Sequence, residues 1–174
     1  FRSADHDKQF IKPHTTMVID LIVIGKTDSE EVGKLVELYS KRINRYVKFS
    51  LIAIPDIRAG KKLSPEEQKV AEGKLLMKQF SPGDHIVLLD EKGASLRSIE
   101  FAAWLEKLMA SGITKRICFV VGGPYGFSPE IYLRSNGKLS LSPMTFSHQI
   151  IRAIFAEQLY RAFSIINNEP YHNE

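Results

Sequence analysis

The sequence lacks most features that mark a secreted or membrane protein. Cys118 is the only cysteine among 174 residues, which excludes an intrachain disulfide and a zinc site built from several cysteines. It lies in the apolar run Ile117–Val121, which indicates a buried, unreactive thiol. No apolar stretch reaches the length of a membrane span, and the N-terminal segment has no pattern of a secretion signal. We therefore expect a cytoplasmic protein.

The common nucleotide-binding fingerprints are also missing. Gly122-Gly123-Pro124-Tyr125-Gly126 does not have the G-x-G-x-x-G spacing of dinucleotide-binding folds, and no Gly-Lys-Ser/Thr follows it as in a P-loop. This disfavours a nicotinamide-dependent oxidoreductase. Taken alone, the run is more typical of a tight strand-to-helix turn, although its glycines would let the backbone come close to a ligand.

Charge gives only a weak indication of partners. The chain has 24 Lys and Arg against 20 Asp and Glu, a net charge of +4, which permits nucleic-acid binding without indicating it. Basic clusters in ranges 41–45 and 58–62 are more typical of solvated faces than of phosphate sites. Asp90-Glu91 is a possible carboxylate pair for a metal, but no histidine has the spacing of a second ligand, and we predict no metal site.

Residues 1–16 differ from the rest of the chain. They are polar and without periodicity, and they end just before Met17, where an apolar strand begins. We interpret them as a cloning remnant or a mis-assigned start that is disordered or poorly packed, and exclude His6 and His14 as site residues. Residues 17–174 are then long enough for a single domain with its own core.

Apolar strands alternate with helices along this domain. Ser64 with Glu67, and Thr27 with Glu30, have the spacing of capping boxes that begin helices. Near-continuous apolar strands between helices predict an α/β fold: a mainly parallel sheet with helices on both faces. The predicted strands cover 18–24, 49–54, 85–90, 116–121 and 139–141, and the predicted helices cover 27–45, 64–80, 98–111, a short segment from 128, and 146–166.

Three loops after the later strands are expected to form a pocket. Ligands of parallel sheets bind at the carboxyl ends of the strands. Loops 90–95, 122–127 and 142–148 would share one pocket if the last three strands are neighbours. The serines and threonine of the third loop are, by themselves, more typical of turns and helix caps.

The last predicted helix carries a wide apolar surface. Ile150, Ile154, Phe155 and later apolar residues cover more than one stripe, so the helix is either deeply buried or also covers a partner. His148 and Arg152 lie one turn apart, and the arginine favours contact with an anion or RNA. A terminal segment such as 171–174 is ordinarily frayed.

Together these motifs resemble one family, the RlmH-type methyltransferases of the SPOUT class. The resemblance extends from Met17 to Glu174, with Pro143 and Ser147 as departures from the usual pattern. The motifs are Leu89-Asp90, Gly122-Gly123-Pro124-x-Gly126, Leu139-Ser140-Leu141-Ser142, Met144-Thr145-Phe146-x-His148, Arg152, Glu157-Gln158-Leu159-Tyr160-Arg161-Ala162 and Tyr171-His172.

The resemblance implies a fold and an activity. The family ties a trefoil knot near the C-terminus, uses S-adenosylmethionine without a metal, and methylates N3 of a pseudouridine in large-subunit ribosomal RNA within the ribosome. It works as a homodimer in which the tail of one protomer reaches the cofactor site of the other. Alternatives are a SPOUT enzyme with another RNA target, such as transfer RNA, and a non-catalytic ribosome-assembly protein.

The resemblance also implies residue roles. The catalytic candidates are His148, Arg152, Tyr171 and His172. The cofactor-binding candidates are Leu89, Gly122, Gly123, Gly126, Ser142, Pro143, Met144, Thr145, Phe146 and Ser147.

Overall fold

The computed structural model describes residues 17–57 and 62–172. The leader predicted at residues 1–16 and part of the basic cluster at 58–62 therefore lie outside the described residues. The described elements are β1 (Val18–Ile24), α1 (Glu30–Ile43), β2 (Lys48–Ile54), α2 (Pro65–Met77), β3 (His85–Ser95), α3 (Ser98–Ala110), β4 (Arg116–Val121), α4 (Pro129–Arg134), β5 (Gly137–Ser140) and α5 (Ile150–Ile166).

These strands form one parallel sheet in the order β2-β1-β4-β3-β5. Alternate side chains of each strand point to opposite faces, and both faces are apolar. In β1, Leu21 joins a core with α1, α3 and α5, whereas Ile22 joins a second core with α2 and α4. The predicted fold class, a parallel sheet with helices on both faces, is confirmed.

The strand order puts β4, β3 and β5 side by side, so their carboxyl ends lie together at one end of the strands.

At the opposite end, Arg116 joins the amino ends of three strands. It donates from Nε to Asp20 in β1 and from a terminal nitrogen to Asp84 just before β3, each at 2.7 Å. Both carboxylates are buried, and such charges are tolerated inside a protein when they are paired and hydrogen-bonded.

One of the two predicted capping boxes is present. At α2 the Ser64 N–H donates to Glu67 at 2.8 Å, and the Glu67 N–H donates to Ser64 Oγ at 3.2 Å. The box predicted at Thr27 is wrong, because Ser29 caps α1 by accepting from the Val32 N–H. The Thr27 hydroxyl accepts from Arg152 instead, a contact between residues far apart in sequence.

The last helix begins later and lies deeper than the sequence suggests. It starts at Ile150, four residues after the predicted start, so His148 lies in the preceding loop. It packs between α1 and α3 on one face of the sheet, and the fully buried Phe155 lies 4.6 Å from Phe119, centroid to centroid. Burial in its own core therefore accounts for much of its apolar surface. In the described part of the chain, no helix is long and apolar enough to cross a membrane.

Strand β3 continues five residues past its predicted end and meets β5 twice. Leu139 is in register with Leu89 and, after an irregularity, with Ala94. A Cβ on Gly93 would lie 2.6 Å from the Leu139 nitrogen, so the two backbones cross at a separation that only glycine allows. The trefoil knot itself stays a prediction of the family resemblance.

Candidate active site

A cavity of about 570 Å³ opens at the carboxyl ends of β3, β4 and β5. Its wall includes residues 89–92, 121–127 and most of 139–148, so the loops predicted at 122–127 and 142–148 do share one pocket. The segment predicted as a loop at 90–95 is wrong as a loop, because it belongs to β3, and only its residues 90–92 line the cavity. This volume is in the range of sites for small organic ligands. Nine of the ten predicted cofactor-binding residues line it, and the exposed Pro143 lies outside its wall. The nine are Leu89, Gly122, Gly123, Gly126, Ser142, Met144, Thr145, Phe146 and Ser147.

The glycine loop after β4 is a closed turn. The Gly126 N–H donates to the Gly123 carbonyl at 3.1 Å, with Pro124 and Tyr125 between them. Gly126 has a φ of +81°, which L side chains rarely adopt. The adjacent Phe127 is buried, so the loop is anchored in the core on its far side.

A buried carboxylate lies directly behind this loop. Glu72 of α2 is 2% exposed and accepts from the Gln68 amide at 2.8 Å. A Cβ on Gly123 would lie 2.7 Å from Glu72 Oε1, so the space that glycine leaves free is occupied by α2 and not by the cavity. Gly73, which follows Glu72 in α2, packs closely against Ser128: a Cβ on Gly73 would lie 3.2 Å from the serine Cβ. Helix α2 thus holds both ends of the loop.

Sequence reasoning missed the role of Glu72. The only local signal was a Glu-Gly pair inside a helix, which is compatible with a solvated position.

The serine loop is shaped largely by its own side chains. Ser140 Oγ donates to the Ser142 carbonyl at 3.0 Å, and Ser142 Oγ accepts from the Met144 N–H at 2.9 Å. Ser147 Oγ accepts from the Ile150 N–H at the start of α5. The interpretation of these residues as turn and cap chemistry is confirmed, and they fix the path of the chain along the cavity.

His148 lines the cavity, whereas Arg152 is fully buried outside its wall. Arg152 donates to the His148 carbonyl at 2.9 Å, to the Ile24 carbonyl at 2.8 Å, and to the Gly25 carbonyl and Thr27 hydroxyl at 3.1 Å each. Burial lowers the pKa of the guanidinium. Arg152 therefore joins the loop after β1 to the loop that carries His148.

Asp90 and Tyr132 form a polar wall of the cavity. The Tyr132 hydroxyl donates to Asp90 Oδ2 at 2.5 Å, and the Lys92 N–H donates to Asp90 Oδ1 at 2.8 Å. Burial, with the neighbouring Asp90, raises the pKa of Tyr132 from 10.0 to about 12, so the hydroxyl keeps its proton to a higher pH than an exposed tyrosine. Among the described residues, no cluster of three or more His, Cys, Asp and Glu could hold a metal ion.

The tail is ordered on its own chain, away from the cavity wall. The Tyr171 hydroxyl donates to Glu157 at 3.1 Å, and its ring meets Tyr160 edge-on at 4.7 Å. An Arg161 nitrogen lies 3.3 Å from His172 Nδ1. The expectation of a frayed end is wrong for these two residues. Within one chain the structure brings His148 to the cavity but does not bring Tyr171 or His172 there.

The whole described chain matches known proteins. A family model described as "Predicted SPOUT methyltransferase" matches residues 17–172. A protein of Parabacteroides distasonis named "Ribosomal RNA large subunit methyltransferase H" is 52% identical over 158 residues, 91% of this chain and 100% of its own length. Proteins of the same name from Christiangramia forsetii and Bacteroides fragilis are 49% and 46% identical, over 90% and 91% of this chain and 99% and 100% of theirs.

Among solved structures, a probable methylase family protein from Haemophilus influenzae aligns with a TM-score of 0.48 and 14% identity. The alignment covers 86% of this chain and 66% of that chain.

Proposed function

Because the chain belongs to the SPOUT methyltransferase family, we propose that it methylates large-subunit ribosomal RNA with S-adenosylmethionine as the methyl donor. The observation that carries this proposal is a cavity to which β3 and the loops after β4 and β5 all contribute, because the three strands are neighbours in the sheet. Full-length similarity to proteins named for this activity supports it. We further propose, from the family resemblance, that the target atom is N3 of a pseudouridine.

The cavity fits this cofactor in size and in chemistry. Its apolar wall includes Val121, Leu141 and Ile151, which suit a planar purine, and backbone groups of the glycine and serine loops are available for hydrogen bonds. Asp90 adds a carboxylate beside the cavity for the polar part of the ligand. When bound, S-adenosylmethionine supplies an electrophilic methyl group on a sulfonium ion.

The protein must then help the nucleobase lose a proton. A pseudouridine N3–H is an imide group, and its nitrogen becomes a good nucleophile only as the proton leaves. His148 is a candidate base because it lines the cavity, and His172 of a second copy of the chain is the other candidate. Arg152 acts as a positioning residue, since it donates one hydrogen bond to the His148 carbonyl and three to the segment Ile24–Thr27.

We propose that the active enzyme is a homodimer. The family resemblance implies that the tail of one protomer reaches the cofactor site of the other, and Tyr171 and His172 pack against α5 outside the cavity wall of their own chain. With a net charge of only +4, the chain should bind isolated RNA weakly, so we propose that it acts on the assembled ribosome in the cytoplasm.

A methylation assay on purified ribosomes tests this function. Ribosomes from a strain that lacks the gene are incubated with the protein and S-adenosylmethionine, and the digested RNA is analysed by nucleoside mass spectrometry. We expect one new 3-methylpseudouridine per large subunit, and much less with protein-free ribosomal RNA. Methylation of transfer RNA instead, or cofactor binding without methyl transfer to any RNA, would contradict the proposal.

A further inference from the structure

Tyr125 is an exposed aromatic residue at the mouth of the cavity. It lines the cavity and yet 50% of it remains accessible to solvent. Phe127, two residues later, is buried and anchors the loop, so Tyr125 is not needed for that purpose. A large aromatic ring in this position can contact a molecule that enters from solvent.

The turn that carries Tyr125 is held on both sides. Pro124 has a fixed φ, and the Gly126 N–H closes the turn onto the Gly123 carbonyl. Gly123 is in turn packed against the buried Glu72. A ring presented by a constrained turn loses little conformational entropy when it binds a partner, and this favours recognition by stacking.

We propose that Tyr125 stacks on the target nucleobase of the RNA as that base enters the cavity. The inference rests on the proposed function and names a residue that recognises the substrate. An enzyme that acts on a base must take it out of its stack, and unstacked RNA bases are commonly held on aromatic side chains. The tyrosine ring replaces part of the stacking that the base loses.

The cofactor's adenine is a second planar ring that could lie against Tyr125. The position of the tyrosine favours the RNA base, because the rim of the cavity is where the substrate must arrive. Two other apolar side chains of the rim are similarly open, Met144 with 75% and Phe146 with 37% exposure. The inner part of the wall, by contrast, includes the buried Val121 and Leu139.

Two substitutions at Tyr125 and one control elsewhere test the inference. Tyr125→Ala removes the ring and Tyr125→Phe keeps it. Leu133→Ala changes an apolar residue that is 88% exposed on α4 and lies outside the cavity wall. The measurements are KM for ribosomes, dissociation constants for S-adenosylhomocysteine by calorimetry, and sedimentation.

We expect Tyr125→Ala to raise KM for ribosomes about tenfold, the usual effect of one lost base–aromatic stack. Its affinity for S-adenosylhomocysteine and its assembly should match the wild type. Tyr125→Phe and Leu133→Ala should have a KM within about twofold of the wild type, because neither removes the ring.

Several results would overturn the inference. An unchanged KM in Tyr125→Ala, or an equal loss in Tyr125→Phe, would show that the ring does not stack on the substrate. A parallel loss of S-adenosylhomocysteine affinity would assign the ring to the cofactor, and dissociation of a dimer would assign it to the interface. A wild-type protein that methylates no ribosomal substrate would overturn the proposed function and this inference together.

Discussion

At the residue scale, two glycines near the cavity have different neighbours in the space where a Cβ would lie. Beside Gly93 that space is occupied by the backbone of β5, whereas beside Gly123 it is occupied by the carboxylate of Glu72. A strand backbone can move only if its ladder is disturbed, while a side chain can change rotamer at a lower cost. We therefore expect the two positions to respond differently to alanine.

Gly93→Ala should destabilise the fold strongly. The new methyl group would overlap the Leu139 backbone, so the free energy of unfolding should fall by about 3 kcal/mol or more. Gly33→Ala is the matched control, because Gly33 lies inside α1 with no atom within 4 Å of the added Cβ. It should stabilise by about 0.5–1 kcal/mol. Urea unfolding measures both, and equal effects would show that β3 can shift at the crossing.

Gly123→Ala should act through Glu72. Alanine at 123 would displace the buried carboxylate, lowering both stability and affinity for S-adenosylhomocysteine. In a Glu72→Ala background the same substitution should cost less, with a coupling of about 1–3 kcal/mol in the stability cycle. Additive effects of the two changes would mean that the alanine is harmful for another reason, such as overlap with the ligand.

At the scale of elements, the two ends of α5 make different connections. Near its start, Arg152 joins the helix to the loop after β1, and its C-terminal half holds the tail through Glu157, Tyr160 and Arg161. The tail is thus a bound segment whose removal loses real contacts. A change in activity on deletion must therefore be separated from a change in stability.

Deleting residues 171–174 should remove methyl transfer. If a tail histidine takes part in proton transfer, the turnover should fall by about 100-fold or more, while S-adenosylhomocysteine affinity changes little. His172→Ala should reproduce most of this loss. Tyr171→Phe keeps the ring against Tyr160 and serves as the control for packing. Full activity of the deleted protein would show that the tail has no part in the chemistry.

A mixed dimer shows whether the tail contributes to the active site of its own chain or to that of its partner. One protomer carries the tail deletion, and the other carries Leu141→Trp, which places a larger side chain in the cavity wall. If the tail serves the partner, one site keeps an intact cavity and an intact tail, and part of the activity returns. No recovery in verified mixed dimers would argue for action on the same chain.

At the scale of the whole molecule, we expect the proposed assembly and the stability of one protomer to depend on different side chains of α5. Phe155 is fully buried against Phe119, whereas Ile154, next to it, is only partly buried. A substitution at Phe155 therefore reports on the core of one protomer, and one at Ile154 can report on a surface between protomers.

Ile154→Asp should convert a dimer to a monomer that remains folded, because a charge in an apolar interface is costly. Phe155→Ala should instead lower the free energy of unfolding by about 3–5 kcal/mol. Sedimentation equilibrium and urea unfolding distinguish the two outcomes. A wild-type protein that is monomeric at micromolar concentration would contradict the proposed homodimer.

Stability should fall at alkaline pH. Burial raises the pKa of Cys118 from 9.0 to about 12 and that of Tyr132 from 10.0 to about 12, and it also raises the pKa of Tyr46 and Tyr171. The unfolded chain then releases these protons at lower pH than the folded chain. The contribution to stability is fully present below about pH 9 and is lost progressively as the pH rises toward 12.

Urea midpoints measured from pH 8 to 11 test this dependence. Tyr132→Phe should flatten part of the slope, since phenylalanine has no proton to lose. A midpoint that is constant over this range would contradict the expected shifts in pKa.

Local pattern in the sequence was enough to determine the α/β fold class and the positions of most elements. Alternating apolar strands and helices, and the Ser64–Glu67 capping box, depend on neighbours along the chain, so they can be seen without the structure. The glycine and serine loops that line the cavity were also visible, because loops that follow neighbouring parallel strands lie close together.

The tertiary structure decided which residues meet across long stretches of chain. The spacing of Thr27 and Glu30 predicts a helix cap, but the Thr27 hydroxyl accepts a hydrogen bond from Arg152, 125 positions later in the sequence. The space beside Gly123 could belong to a ligand on sequence alone, but in the structure Glu72 occupies it. The apolar surface of α5 could belong to a core or to an interface, and in the structure α1 and α3 pack against it. These contacts depend on strand order and helix packing, which bring together residues that are far apart in the sequence. Local sequence pattern reports only on neighbours along the chain, so it does not specify such contacts.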